Sequence, residues 1–217
     1  MKPLLKICGT TSIPDARLAQ EASADFLGMI VDFPPSPRHV PLEKAVEIAG
    51  SVSLPVIAVT VNQSLEQLLR IHKALSPHAL QLHGDETPEL VQQLVKNYIR
   101  VWAVASGERP QVLSRAKTMS QAGAEAILID ARLSTAEGTI YGGTGHVGDW
   151  EATRMLVDEG YRVILAGGLN AENIADAIEQ VEPWMVDVAS GVEAQKGVKD
   201  RAKVLSFAEK VILRRDA

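Results

Sequence analysis

The sequence holds one cysteine, Cys8, among 217 residues. A lone thiol allows no internal disulfide framework. With no C-x-x-C pair and no His/Cys cluster at zinc spacing, no structural metal site is expected, and the setting expected is reduced and cytoplasmic. Aromatic residues make up only 4%, the formal net charge is −5, and no Lys/Arg run is longer than the "RR" near the C-terminus. Stacking platforms and a basic groove are therefore missing, which argues against nucleic acid as a partner. No stretch approaches the roughly 18 consecutive apolar residues of a membrane helix, and the apolar part of "MKPLLKICG" is too short for a signal peptide. An acidic chain can still bind an anion where backbone amides and a few arginines set the local field.

What is present is a regular alternation. With 46% hydrophobic and 23% charged residues, the composition suits a single globular domain over residues 1–217, two small domains being the alternative. Short apolar runs recur at "LLKIC" (4–8), "DFLGMIV" (25–31), "PVIAVTV" (55–61), "ALQL" (79–82), "IRVWAV" (99–104), "AILID" (126–130), "RVILA" (162–166) and "MVDVA" (185–189). Runs of this length with nearly continuous apolar character fit strands covered on both faces, as in a parallel sheet. Between them lie segments with apolar residues three and four apart, at 13–22, 41–50, 87–96, 110–121, 149–158, 171–179 and 199–213. A further one follows Ser64, a residue suited to capping, and places Leu65, Leu68, Leu69 and His72 at helical spacing. About eight strands alternating with eight helices is the count that closes an α/β (β/α)8 TIM barrel, with a doubly wound open sheet as the alternative.

In such a barrel the residues just after each strand converge on one rim, where the active site lies. Those positions hold Cys8, Arg38 in "FPPSPRHV", Asn62, His83 in "HGDE", and Asp130. After the seventh and eighth strands come "AGGLN" (166–170) and "ASGVE" (189–193), which bring Gly167, Gly168, Ser190 and Gly191 to the rim. Glycines between a strand and a helix start let backbone approach a ligand with amide hydrogens free, so the two loops in succession read as a phosphate site. A third cluster, "YGGTGHVGDW" (141–150), with Gly143 and Gly145, reads as a mobile loop that closes over a ligand. Taken alone, Cys8 is a small core residue at a strand end, and Asp130 is a helix cap.

Together these words resemble a known family. "KICG" (6–9), "SPR" (36–38), "VN" (61–62), "QLHGDE" (81–86), "LID" (128–130), "GGTG" (142–145) with "DW" (149–150), "AGGLN", and "VDVASGVE" with "KD" (186–193 and 199–200) stand in collinear order. The pattern is similar to phosphoribosylanthranilate isomerase over nearly the whole chain. The resemblance implies a (β/α)8 barrel of tryptophan biosynthesis that performs an Amadori rearrangement on a phosphorylated small molecule, without metal or organic cofactor, as a monomer or homodimer. It implies Cys8 as general base and Asp130 as general acid. Arg38 then matches the anthranilate carboxylate by its fork of donors, and Gly143, Gly145, Gly167, Gly168, Ser190 and Gly191 contact the substrate.

A thiol of ordinary pKa, about 8.5, needs electropositive help to act as a base, from Lys6, Arg38, a helix end or the substrate iminium. Strand alternation points Lys6 the same way as Cys8, where it either assists the thiol or forms a structural ion pair. His83 either lines the pocket or holds its loop, and Asp187 belongs to scaffold or pocket floor. Thr10, Pro35, Thr60 and Gly148 depart from the family pattern, in loop packing and aromatic contact rather than in the acid, base or phosphate stretches. Related phosphate-binding barrels of histidine or tryptophan biosynthesis, and a binding protein without turnover, are the competing readings.

Overall fold

The computed structural model describes residues 3–130, 133–135, 138–140 and 149–216. The apolar runs become eight parallel strands: β1 (Leu4–Ile7), β2 (Phe26–Val31), β3 (Val56–Thr60), β4 (Ala79–Leu82), β5 (Val101–Ala105), β6 (Ala126–Ile129), β7 (Val163–Leu165) and β8 (Met185–Val188). Hydrogen bonding runs from β1 through β8, β7, β6, β5, β4 and β3 to β2, and β1 pairs with β2 as well, so the sheet closes. The result is a (β/α)8 barrel, as the alternation predicts, and not an open sheet. Its helices are α1 (Ile13–Glu21), α2 (Leu42–Ala49), α3 (Leu65–Leu75), α4 (Pro88–Lys96), α5 (Arg109–Gln121), α6 (Trp150–Asp158), α7 (Ile174–Val181) and α8 (Arg201–Asp216). Among the described residues no helix is long and apolar enough to cross a membrane.

Local chemistry explains the boundaries. Ser64 accepts from the Gln67 amide while the Gln67 side chain accepts from the Ser64 amide, a reciprocal cap that starts α3, and Leu68, Ile71 and Leu75 then form its buried stripe. The seventh helix starts three residues later than the sequence reading of 171–179. Asn170 Oδ1 accepts from the amides of Glu172 and Asn173, and this side-chain turn takes up the segment before helical bonding begins.

Strand periodicity separates two cores. Residues such as Leu5, Ile7, Leu27, Met29, Leu80 and Val186 face outward and pack under the helices. Phe26, Ile57, Ala79, Trp102, Ala126, Ile164 and Met185 fill the barrel interior. Trp102 is fully buried there, with Phe26 and Trp184 meeting it edge-on at centroid distances of 5.4 and 5.7 Å. This closed apolar floor leaves the other end of the same inward stripes for polar residues.

Candidate active site

Above the floor the inward positions turn polar. Lys6 on β1 lies directly opposite Asp187 on β8 in the strand register, and its Nζ donates to Asp187 Oδ2 at 2.8 Å. The Lys6 ammonium also lies close enough to Cys8 for the charges of the two groups to act on each other. Burial alone would lower its pKa, but Asp187 and Cys8 outweigh burial and hold Lys6 charged, above its ordinary value. Lys6 is thus the structural ion pair of the two alternatives, and its charge also opposes the upward push on the Cys8 pKa. Gly28 on β2 makes the space, since a Cβ there would lie 2.7 Å from Cys8 Sγ and 2.9 Å from Lys6 Cε.

Cys8, Arg38, His83, Asp130, Gly167, Gly168, Asp187 and Ser190 line one cavity of about 780 Å³, part of it open to solvent. Cys8 and Asp130 come to it from β1 and β6, strands separated in the barrel by β7 and β8. Burial pushes the Cys8 thiol above its usual range and Asp187 adds to the effect; Lys6 and Lys199 pull it back without cancelling it.

Arg38 is not a loop-surface arginine. It is 8% exposed, and its Nε and Nη2 donate to Glu193 Oε1 and Oε2, both at 2.8 Å. Hydrogen bonding to Glu193 raises the Arg38 pKa against the effect of burial. The pair consumes the side-on edge of the guanidinium and leaves the end-on edge, at Nη1 and Nη2, for a ligand. Lys199, also buried, donates to the backbone oxygen of Cys8 at 2.6 Å, to that of Ala189 at 3.2 Å and to Glu193 Oε1 at 3.3 Å. Glu193 and Lys199 thus staple the loop after β2 and the end of β1 to the hairpin Glu193–Gln195/Val198–Lys199.

At the far wall, His83 Nε2 lies 3.3 Å from Asp130 Oδ2, and His83 Nδ1 lies 3.0 Å from the side-chain nitrogen of Gln81. Asn62 does not line the cavity. Its amide donates to Glu86 Oε1, its Oδ1 accepts from the Asp85 amide, and Gly84 donates to Glu86 Oε2, so Asn62 and Glu86 hold the loop after β4.

The two glycine loops lie side by side. Gly167 and Gly168 adopt φ of 81° and 64°, left-handed values that favour glycine, and both line the cavity. Gly191 does not line it. A Cβ there would stand 1.9 Å from the Leu169 oxygen, so its role is to let one loop seat against the other. Ser190 and Gly191 open the one-turn helix Ser190–Val192, where the first amides precede the helical bonds and are available to an anion. Gly143, Gly145 and Gly148 lie outside the described residues.

Sequence reasoning gave no role to Gln81, Glu193, Lys199 or Gly28. Gly28 had a signal, being a lone glycine inside a strand run, which often marks close approach of other groups.

Comparisons with known proteins place the chain in one family and agree with the barrel fold. Residues 5–210 match the family model described as N-(5′-phosphoribosyl)anthranilate (PRA) isomerase. The N-(5′-phosphoribosyl)anthranilate isomerase of Acinetobacter calcoaceticus is 37% identical over 215 residues, covering 97% of each chain. The crystal structure of phosphoribosyl anthranilate isomerase from Thermotoga maritima superposes with a TM-score of 0.85 at 32% identity, over 97% of this chain and 98% of that one. A phosphoribosyl anthranilate isomerase solved in complex with reduced 1-(o-carboxyphenylamino)-1-deoxyribulose 5-phosphate superposes with a TM-score of 0.81 at 29% identity, again over 97% and 98%.

Proposed function

The chain belongs to the N-(5′-phosphoribosyl)anthranilate isomerase family, and from that membership we propose that Cys8 is the base and Asp130 the acid of the family's Amadori rearrangement. The reaction is an isomerisation in tryptophan biosynthesis: N-(5-phosphoribosyl)anthranilate is opened and converted to 1-(2-carboxyphenylamino)-1-deoxyribulose 5-phosphate. The observation that carries the two roles is a single cavity lined by a thiol, a carboxyl group and residues of the two loops that follow β7 and β8.

The steps follow from the groups. Asp130 gives a proton to the ribose ring oxygen; the bond from that oxygen to C1′ breaks and the anilino nitrogen lone pair fills C1′, leaving an iminium. Cys8 as thiolate removes the proton from C2′, the electron pair flows into the iminium, and the enolamine tautomerises to the ketone. Lys6 stabilises the thiolate, and the open edge of Arg38 receives the anthranilate carboxylate as two parallel hydrogen bonds. The amides of the loops after β7 and β8 receive the phosphate, the position common to phosphate-binding barrels. None of these steps calls on a metal or organic cofactor.

Cys8→Ala and Asp130→Ala are each expected to lower kcat by at least about a hundredfold, the scale of losing an acid or a base. The assay follows the loss of anthranilate-type fluorescence as substrate is consumed. Turnover near that of the unmodified enzyme in either variant refutes the assignment of that residue.

A further inference from the structure

The acid has a neighbour whose task is not to hold a loop. His83 is tied to β3 by its own backbone amide, which donates to the Thr60 oxygen, and the turn beyond it is held by Asn62 and Glu86. The imidazole is therefore free of that duty and spans the gap between Gln81 and Asp130. Gln81 is 1% exposed and points to the same side of β4 as His83, two residues on. Its amide nitrogen is the atom at His83 Nδ1, while Oε1 is buried with no protein partner among the described residues.

An amide N–H aimed at Nδ1 determines the ring's tautomer. A proton on Nδ1 would set two donors against each other at 3.0 Å, so the proton sits on Nε2, the nitrogen that faces Asp130. An acid that works through one carboxyl oxygen needs its emerging negative charge stabilised on the other, and a donor held beside that oxygen needs only a small adjustment to supply it.

We propose that Gln81 is a positioning residue of the rearrangement: by donating to His83 Nδ1 it fixes the imidazole as the Nε2–H tautomer, whose N–H stands 3.3 Å from Asp130 Oδ2 and closes on it as the carboxylate forms, leaving Oδ1 to deliver the proton. In the transfer, the O–H bond at Oδ1 breaks and a new O–H bond forms at the ring oxygen as its bond to C1′ breaks. The Nε2 proton stays on nitrogen throughout. The inference rests on the reading of Asp130 as the acid.

The test is long-range ¹H–¹⁵N NMR on the full enzyme with labelled histidine, at a pH where imidazole is neutral. His83 is identified among the five histidines by the signal lost in His83→Asn. The unmodified enzyme is expected to carry its His83 proton on Nε2. Gln81→Met keeps the length and removes the donor; it is expected to give mixed tautomers and a kcat about tenfold lower, with KM little changed. Gln81→Asn, whose shorter amide does not reach Nδ1, provides the same readout if the methionine variant does not fold. A proton on Nδ1 in the unmodified enzyme overturns the proposal. So does a Gln81 variant with an unaltered tautomer and unaltered kcat. If Asp130→Asn keeps full turnover, the acid assignment falls and takes this inference with it; if it is inactive while the tautomer is Nδ1–H, the inference falls alone.

Discussion

Gly28→Ala offers a sharp trial of the geometry around the thiol, because the glycine does not itself line the cavity and yet packs against both Cys8 and Lys6. The added Cβ would lie 2.7 Å from Cys8 Sγ, 2.9 Å from Lys6 Cε and 3.1 Å from Cys8 Cα. Non-bonded heavy atoms settle at about 3.5–4.0 Å, so the sulfur must retreat by about 1 Å. It has little room to do so, since the Cys8 amide is bonded to the Val188 oxygen and its carbonyl to Lys199. Overpacking of this kind costs about 1–3 kcal/mol, a fall in Tm of a few to about ten degrees in a chain of this length. A reacting group misplaced by about 1 Å costs on the order of a hundredfold in rate. The expected variant is thus folded, somewhat less stable, and about a hundredfold slower in kcat. Gly160→Ala is the control: its Cβ meets nothing within 4 Å, and although φ of +87° strains the backbone, the site lies far from the cavity. That control should lose about 1 kcal/mol of stability and no activity. A folded Gly28→Ala enzyme within a few-fold of normal kcat would refute the argument that the sulfur's position is fixed by this contact.

Two further outcomes follow from the buried charges. Lys6→Met leaves the Asp187 carboxylate buried without its partner and should cost about 3–5 kcal/mol in denaturant unfolding; it should also move Cys8 alkylation by iodoacetamide to higher pH, and an unmoved alkylation profile would show that Lys6 does not act on the thiol. Burial opposes the charge on Glu193, but Arg38 and Lys199 outweigh it and hold its pKa below the ordinary 4.5. Glu193 therefore stabilises the fold fully above about pH 4.5, and this contribution is lost as pH falls through the lower folded value. Glu193→Gln should accordingly flatten the acid side of a stability-versus-pH curve measured by thermal melts, and an unchanged slope below pH 4.5 would count against the pairing.

The scaffold could be read from sequence because its signals are local. A parallel strand buried on both faces announces itself as an apolar run, and "PVIAVTV" yields a strand whose every residue, Val56–Thr60, is buried. Helix starts were legible where a side chain closes on a nearby amide, as at Ser64, and less so at α7, where Asn170 and Asn173 delay the first turn. The rim residues Cys8, Arg38, His83 and Asp130 were reachable by counting strands. Their partners were not: Lys6 meets Asp187 across 181 positions and Arg38 meets Glu193 across 155. Asn62 shows the limit in the other direction, since a polar residue at a strand end is equally suited to a ligand and to its neighbouring loop. Here it serves the loop.

Those distant pairs bear on how the two proposed steps are ordered. Around Cys8 stand three buried cations, Lys6, Arg38 and Lys199, and two buried carboxylates, Asp187 and Glu193. With all of these groups ionised, a thiol at Cys8 leaves one excess positive charge and a thiolate leaves none, although burial lowers the Lys199 pKa and weakens that excess. The protein thus supplies the counter-charge for the base, yet burial still holds the thiol above its usual range, so the resting enzyme favours the protonated sulfur. An anthranilate carboxylate arriving at Arg38 competes for the same excess charge and pushes further in that direction. In the proposed mechanism the balance turns when Asp130 protonates the sugar, because ring opening then places an iminium, a new cation, beside the sulfur, where a poorly solvated site makes its field strong. On that proposal, acid action at the end of β6 creates the charge that lets the base at the end of β1 act, and this coupling requires both side chains to face a single cavity.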